Sequence, residues 1–187
     1  MDTSPATLRT ELRRELLDGQ VRFHSTLEAV AAEIWDAPST NPGWNVRQVV
    51  GHMADQPAAA AKLVGLARSG RGLLNHAPIR LVDAMNRWQV RLRTRGLSPE
   101  AARTRFDTGF LLLAALVDEI GDDEFDHETT AFREQHSVAD AFRELGRQLD
   151  DHVPQVIGVI GDPELMATLS PAHRSRAEGR GDLRHHT

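Results

Sequence analysis

The sequence predicts an all-α protein, a four-helix bundle with one additional short helix. Three observations lead to this prediction. Apolar residues recur at helical spacing along most of the chain. No stretch shows the sustained alternation of a β-strand or a hairpin signal such as Asn-Gly. Four of the helical segments are long and amphipathic, and such helices bury their apolar stripes against one another. A helical bundle is therefore expected.

The first helix is predicted to begin at the N-terminus of the chain. Thr3 or Ser4 is suited to the N-cap position, and Pro5 is suited to the first turn. Residues 36–43, which include two prolines, are expected to end the helix. Its predicted apolar stripe comprises Leu8, Leu12, Leu16, Gly19, Phe23, Leu27, Val30 and Ile34.

The second helix is predicted to run from the cap residue Asn45 to Gly70, which takes the C-cap role. Pro57 lies inside it and is expected to introduce a kink, because proline cannot donate the helical hydrogen bond. The inward residues are predicted to be Val46, Val49, Val50, Met53, Ala60 and Val64.

Two further helices are predicted in the middle of the chain. A short helix covers about residues 80–95, with an arginine-rich outer face and an apolar side formed by Leu81, Met85, Trp88 and Leu92. Ser98-Pro99-Glu100 is a typical helix start and opens the next long helix, which Gly121 closes. Its inward residues are predicted to be Phe106, Phe110, Leu113, Val117 and Ile120.

The last long helix is predicted to follow an acidic, irregular crossing loop at residues 122–136. Ser137 and Asp140 resemble a capping box at its start. From residue 162 the chain becomes polar. We therefore expect a helical bundle domain at residues 1–161 and a mobile C-terminal tail at 162–187. The apolar stripe of the last helix is predicted to contain Ala141, Leu145, His152, Val156 and Ile160.

Composition excludes several classes of function. The chain has no cysteine, which excludes disulfides, thiolate metal sites and a cysteine nucleophile, so any reacting thiol has to come from outside. A net charge of −5 and scattered arginines argue against a nucleic-acid partner. The longest apolar run, residues 110–117, is far shorter than the roughly 20 residues of a membrane span, and the N-terminus is too acidic for a signal peptide. We expect a soluble, cytoplasmic protein without a membrane partner.

Two histidines are the main candidates for chemistry. His52 lies three residues after Val49 and four before Gln56, on the flank of the buried stripe. His152 lies four residues before Val156 and points more directly inward. Inward side chains on two long helices of one bundle can converge, and metal ligands in bundles are positioned in this way. His52 and His152 are therefore candidate catalytic and metal-ligating residues.

A catalytic zinc site needs a third protein ligand. Gln148 lies one helical turn before His152, and Glu144 lies one turn before Gln148. A neutral amide oxygen is a weaker ligand than a histidine or a carboxylate. We therefore regard Gln148 as the third candidate ligand, with Glu144 and Asp55 in reserve.

The alternative for each helical histidine is a structural role. A single histidine on an apolar helix face is more often a hydrogen-bonded core residue than a ligand, and residue spacing does not decide between the two. His24, at the edge of the first stripe, has the same alternative. His76, His127 and His136 are predicted to be solvated in loops.

Other polar and aromatic residues are candidates for binding a cosubstrate. Trp44 precedes the second helix and is predicted to pack on it as a hydrophobic staple. Trp88 is predicted to lie in the core or to line a groove. Asn86 and Arg87 are either surface residues of the short helix or polar groups that bind an anionic substrate at the mouth of the bundle.

Two motifs resemble those of a known family. PGWNVRQVVGHMAD, at residues 42–55, resembles the second-helix signature of the DinB-like bundles, which include the N-terminal domain of mycothiol-dependent maleylpyruvate isomerases. QLDDHVPQVIGVI, at residues 148–160, resembles the last helix of that family. The matching residues are Trp44, Val46, Arg47, Val49, Val50, His52, His152, Gln155 and Val156.

The resemblance implies a four-helix bundle with a divalent metal, often zinc or nickel. Carried over to this chain, the ligands are His52 and His152, with Gln148 where a histidine or glutamate normally stands. In metal-bearing relatives the ion is thought to lower the pKa of a low-molecular-weight thiol, which then attacks an electrophile. A cysteine-free chain is compatible with such chemistry, because the thiol is a cosubstrate. The arginine-rich, lysine-poor composition suits an actinobacterial protein, for which mycothiol is the expected thiol.

Three functional hypotheses follow. The first is a metal-dependent thiol transferase or isomerase that acts on a small electrophilic molecule. The second is a metal-free DinB-like protein that hydrolyses or sequesters a reactive, genotoxic metabolite as self-protection, with His52 or His152 as general base. The third is a homodimeric binding or stress-response protein with a vestigial cavity. Gln148 separates them, because it weakens only the first hypothesis.

Overall fold

The computed structural model describes residues 4–71, 79–131 and 134–161, and the side chains of residues 79–83 lie outside that description. Five α-helices and a two-stranded sheet make up the described chain. Their bounds are α1 Pro5–Ala29, α2 Val46–Ser69, α3 Ile79–Arg93, α4 Pro99–Glu119, α5 Val138–Ile160, β1 Glu128–Ala131 and β2 Glu134–Ser137. The predicted helical bundle is confirmed. The predicted tail at residues 162–187 lies outside the described residues.

The four long helices begin at the predicted cap residues. The side chains of Ser4, Asn45, Ser98 and Ser137 each accept a hydrogen bond from the backbone N–H three residues further on. These bonds satisfy one of the free N–H groups at each helix start. At Asn45 and Ser137 the bond is reciprocal, which completes a capping box.

α1 ends earlier than predicted. The helix stops at Ala29, Val30 is extended, and residues 32–34 form a separate 3₁₀ turn, so Ile34 is not part of α1. This turn redirects the chain toward α2 and buries Trp35, whose indole Nε1 donates to the carbonyl of Leu97 over 2.9 Å. The prediction of one helix through Ile34 was wrong because the apolar spacing continues across the turn.

The long helices pack in a closed ring in which α1 lies against α4 and α5, and α2 lies against the same two helices. Arg9 near the start of α1 donates to the carbonyls of Val117 and Ile120 at the end of α4, so these two helices are antiparallel. α5 runs parallel to α1, and α2 runs parallel to α4. α2 and α5 are therefore antiparallel neighbours.

α3 connects the parallel helices α2 and α4, and it is less buried than predicted. Trp88 is 61% exposed, and Met85 and Leu92 are exposed as well, while Val90 and Thr94 are buried. The prediction that Trp88 lines a core or groove was wrong, because the helix turns Val90 rather than its large apolar residues inward. The side chain of Leu81 lies outside the description.

The described parts of the segment 122–136 contain regular structure that was not predicted. A 3₁₀ turn at residues 122–124 leads into an antiparallel hairpin in which Glu128 pairs with Ser137 and Thr129 with His136. Thr129 Oγ1 donates to the carbonyl of Arg71 at the end of α2 over 2.6 Å. The predicted irregular loop was wrong because four-residue strands are too short for a period-two pattern to be visible.

Other local predictions have mixed outcomes. His136 is 5% exposed instead of solvated, because its strand, β2, lies between β1 and α5, whereas His127 is exposed as predicted. His76 lies outside the described residues. Pro57 lies inside α2, and the kink expected there stays a prediction. Among the described residues, no helix is long and apolar enough to cross a membrane.

Candidate functional site

His52 on α2 and His152 on α5 meet where these antiparallel helices pack. Their ring centroids are 4.7 Å apart, and the ring planes are nearly perpendicular at 86°. Both side chains are partly buried. The structure therefore brings together the two histidines that the helical spacing had placed on inward faces.

Trp44 covers both histidine rings. Its indole contacts His52 edge to face, with centroids 5.3 Å apart, and lies parallel to His152 with centroids 6.3 Å apart. Trp44 is itself buried, and it precedes α2 as expected for a staple. Its position also makes it the aromatic wall of the histidine pair.

His52 is neutral over a wide pH range. Its pKa is lowered from 6.5 to about 4, chiefly because burial disfavours the charged imidazolium and secondly because His152 lies beside it. A weaker interaction with the side chain of Gln148 acts in the opposite direction. Gln56, which is buried, donates from its amide Nε2 to His52 Nε2 over 2.9 Å. This bond is consistent with an unprotonated ring nitrogen.

His152 is held by amides from two parts of the chain. Its Nδ1 lies 3.0 Å from Gln155 Oε1, one turn further along α5. The same oxygen accepts a hydrogen bond from Asn41 Nδ2 over 3.0 Å. Sequence reasoning missed both Asn41 and the role of Gln56. The spacing of Gln56 to His52 could have revealed the latter, but nothing in the local pattern around Asn41 points to α5.

Gln148 lies on the same side of α5 as His152 and interacts with His52. Its Nε2 donates to Glu144 Oε1 over 2.7 Å, and the other oxygen of Glu144 pairs with Arg147 at 2.9 Å. Because the amide nitrogen is engaged by Glu144, the amide oxygen is the atom left to accept a hydrogen bond or hold a ligand.

Asp55 is engaged away from the histidine pair. It forms ion pairs with Arg93 and Arg105, at 3.1 and 3.5 Å, so it is directed toward α3 and α4. The expectation that Asp55 is a reserve ligand is corrected accordingly. Asn86 and Arg87 are exposed on α3. Their role in binding a cosubstrate stays a prediction.

The donor set at the site is two imidazoles and one amide oxygen. Among residues 4–71, 79–131 and 134–161, no group of three or more His, Cys, Asp or Glu residues is placed to hold a metal ion. An open groove of about 580 Å³ lies elsewhere, between α2 and α4, and is lined by residues such as Ala58, Thr104 and Leu112. The histidine pair, with Trp44 beside it, is therefore separate from this groove.

A third partly buried histidine lies across a different interface. His24 on α1 places Nε2 2.8 Å from Asp107 Oδ1 on α4, and Gln20 Nε2 lies 3.3 Å from the same oxygen. The ring packs beside Phe23 and Phe106, which stack on each other in the core. This arrangement is an interhelical hydrogen-bonded pair, which agrees with the structural alternative stated for His24.

Comparison with known proteins places these features in a family context. The family model described as the mycothiol maleylpyruvate isomerase N-terminal domain matches residues 16–156. A protein of Bacillus licheniformis named "putative metal-dependent hydrolase" is 34% identical over 105 residues. That match spans 54% of this chain and 56% of the relative, little more than half of either protein.

Two solved structures are similar in fold. The crystal structure of a mycothiol-dependent maleylpyruvate isomerase superposes with a TM-score of 0.64 at 18% sequence identity, covering 90% of this chain and 70% of that one. A histidine-to-alanine mutant of the mycothiol-dependent maleylpyruvate isomerase gives the same TM-score at 17% identity, with the same coverage. The helical architecture expected from the two motifs is thus confirmed.

Proposed function

This chain belongs to the mycothiol maleylpyruvate isomerase N-terminal domain family, and from that premise we propose that it holds a divalent metal between α2 and α5 and joins a low-molecular-weight thiol to a small electrophile. The observation that carries the proposal is the contact between His52 and His152, whose ring centroids are 4.7 Å apart. Zinc or nickel is the ion that the family resemblance implies, and imidazole suits both.

The residues present fit such an ion, with one weak position. Two imidazoles supply nitrogen donors, and burial keeps His52 unprotonated at neutral pH, as metal ligation requires. The amide of Gln56, which donates to His52 Nε2 over 2.9 Å, would have to turn away for that nitrogen to bind an ion. Gln148 supplies an amide oxygen, oriented by the bond from its nitrogen to Glu144. Catalytic zinc sites more often have three histidines or two histidines and a carboxylate. We therefore expect a metal held less tightly than in those sites.

The metal and the residues of the chain would have different roles. When bound, the divalent cation would lower the pKa of a thiol, so that the thiolate is present at neutral pH. His52, His152 and Gln148 would hold the ion. Trp44 covers both rings and keeps water from that side of the site. Because the chain has no cysteine, the attacking sulfur would belong to a cosubstrate.

The names of similar proteins support both parts of the proposal. The isomerase of similar fold is described as mycothiol-dependent, which supports a thiol. The Bacillus relative is named for metal dependence, which supports an ion. Mycothiol is accordingly the thiol that we propose, and removal of a reactive small molecule is the role that such chemistry would serve. A homodimer stays a prediction.

A second candidate function is metal-free. The described residues place no third His, Cys, Asp or Glu beside the two histidines, and this favours a site without a strongly bound ion. His52 or His152 would then act as general base toward water, or the site would simply bind a reactive metabolite. The lowered pKa of His52 makes it a weak base, which favours His152 for that role.

One experiment separates the two candidates. Protein stripped of metal and protein loaded with zinc or nickel would each be incubated with mycothiol and an electrophilic reporter such as a chlorobimane, and thioether formation would be followed by fluorescence. The first candidate predicts that thioether formation requires the protein, the metal, His52 and His152. The control variant His24→Ala should form the thioether as the wild type does. Metal-independent loss of a strained-ring electrophile, without thiol consumption, would instead favour the second candidate.

A further inference from the structure

A short chain of hydrogen bonds connects His152 to the segment between α1 and α2. His152 Nδ1 and Asn41 Nδ2 both lie 3.0 Å from the same oxygen, Gln155 Oε1. An amide oxygen only accepts hydrogen bonds, so both nitrogens have to donate to it. In a neutral imidazole a proton on Nδ1 leaves the lone pair on Nε2.

The backbone around Asn41 is fixed to α5 at the same residue. The backbone N–H of Thr40 donates to the carbonyl of Gln155 over 3.3 Å, and the backbone N–H of Asn41 donates to Ser39 Oγ over 3.1 Å. Gly158 permits this approach, because a Cβ at that position would lie only 2.9 Å from Thr40 Cγ2. Asn41 is therefore anchored by its backbone, and its amide is aimed at Gln155.

We propose that Asn41 and Gln155 are positioning residues that fix His152 as the Nδ1–H tautomer, so that Nε2 is the atom available to a ligand or a proton. The relevance of this inference to metal binding rests on the proposed function. A histidine without such a partner divides its population between two tautomers, and only the competent fraction binds. Outer-shell partners of this kind orient histidine ligands in metal sites generally.

The tautomer can be measured without metal or activity. Long-range ¹H–¹⁵N spectra of metal-free protein labelled at histidine, recorded well above the ordinary histidine pKa, distinguish a proton on Nδ1 from one on Nε2. The His152 signals would be assigned by their loss in His152→Ala. His24 serves as an internal reference, because its Nε2 faces Asp107 at 2.8 Å and should carry the proton. Opposite tautomers are expected for the two residues.

Four variants test whether the amides cause the preference. Gln155→Leu removes the acceptor and should convert His152 to a mixture of tautomers or to the Nε2–H form. Gln155→Glu keeps an acceptor and should retain the Nδ1–H form, which guards against a general loss of structure. Gln20→Leu makes the same change beside His24 instead and should leave the His152 signals unchanged. Asn41→Ala should act like Gln155→Leu, but more weakly.

Zinc titration by calorimetry then links the tautomer to binding. Gln155→Leu should weaken zinc binding by roughly 10–100-fold, the usual cost of losing an outer-shell partner, while Gln155→Glu should restore it. A wild-type His152 with its proton on Nε2, or a Gln155→Leu protein with unchanged tautomer, would overturn the inference. Failure of the wild type to bind zinc, with the expected tautomer present, would refute the proposed metal site but support the positioning role.

Discussion

Two interfaces of the same bundle bury histidines in different surroundings. Between α1 and α4, His24 has a carboxylate partner, Asp107, at 2.8 Å. Between α2 and α5, His52 and His152 contact each other, and their hydrogen-bond partners, Gln56 and Gln155, are neutral amides. His24 therefore bridges two helices through a carboxylate. The second interface places two imidazoles side by side, and their partners are neutral amides instead of carboxylates.

The difference shows how the partners of a histidine separate structure from chemistry. A carboxylate opposite His24 favours a stable interhelical pair and occupies its Nε2 atom. Burial and, secondly, the adjacent imidazole of His152 lower the pKa of His52 to about 4, so its ring stays unprotonated at neutral pH. Such a pair can accept a metal cation, or a proton during a proton-transfer step.

The largest difference between the two interfaces is expected when one histidine is removed from each. His52→Ala should weaken zinc binding by at least about 100-fold, since loss of a ligand should exceed the 10–100-fold cost of losing an outer-shell partner. His24→Ala should leave zinc binding unchanged. Calorimetric titration measures both, and circular dichroism checks that both variants remain helical. Equal losses in the two variants would contradict the distinction.

Acid should destabilise the metal-free protein through His52. The unfolded chain takes up this proton at the ordinary pKa of 6.5, whereas the folded protein does so only near 4. Between these values the unfolded state binds more protons, so the free energy of unfolding should fall as the pH is lowered from 6.5 to 4. The full effect is about 3 kcal/mol at most, at about 1.4 kcal/mol per pKa unit.

Urea denaturation at a series of pH values measures this effect, with His52→Gln as the matched variant. The variant should lose less stability than the wild type across the same range, because glutamine does not titrate. Parallel pH profiles for the two proteins would show that His52 is not the group responsible.

A gain of affinity would sharpen the comparison. Gln148→His places a third imidazole one turn before His152, and histidine is a better ligand than an amide for zinc or nickel. Zinc binding should tighten by at least roughly tenfold, or about 1.4 kcal/mol. Gln20→His, one turn before His24 on α1, is the matched control and should give no comparable gain. Competition with a chromogenic chelator resolves the difference.

The smallest effect is expected at the other interface. Asp107→Asn removes the charge opposite His24, and both side chains are partly exposed, so the loss of stability should be about 0.2–1 kcal/mol. Zinc binding should not change. Urea denaturation and zinc titration of the same sample check both statements. A weakened zinc affinity would show that the two interfaces are coupled.

The long helices could be predicted because cap residues and apolar spacing act locally. Ser4, Asn45, Ser98 and Ser137 cap the helices that their positions predicted. The paired strands β1 and β2 and the exposed face of α3 were mispredicted. Four-residue strands carry little pattern, and the sequence of an amphipathic helix does not reveal whether a neighbour covers its apolar face.

The candidate site divides in the same way. His52 and His152 follow from helical spacing on two inward faces, and the structure brings their rings into contact. The position of Asn41 could not be predicted, because its contact with Gln155 spans 114 residues and depends on the path of the segment before α2. Asp55 had the right spacing but pairs with Arg93 and Arg105, which lie on helices that sequence reasoning could not orient.

The most direct test of the central claim is elemental analysis of the untagged protein purified without chelator, in parallel with the His52→Ala/His152→Ala double variant. A metal site at this histidine pair predicts about one zinc or nickel ion per chain of the wild type. The double variant should contain none. The absence of metal from the wild type, even after soaking with zinc, would contradict the claim and leave the metal-free function.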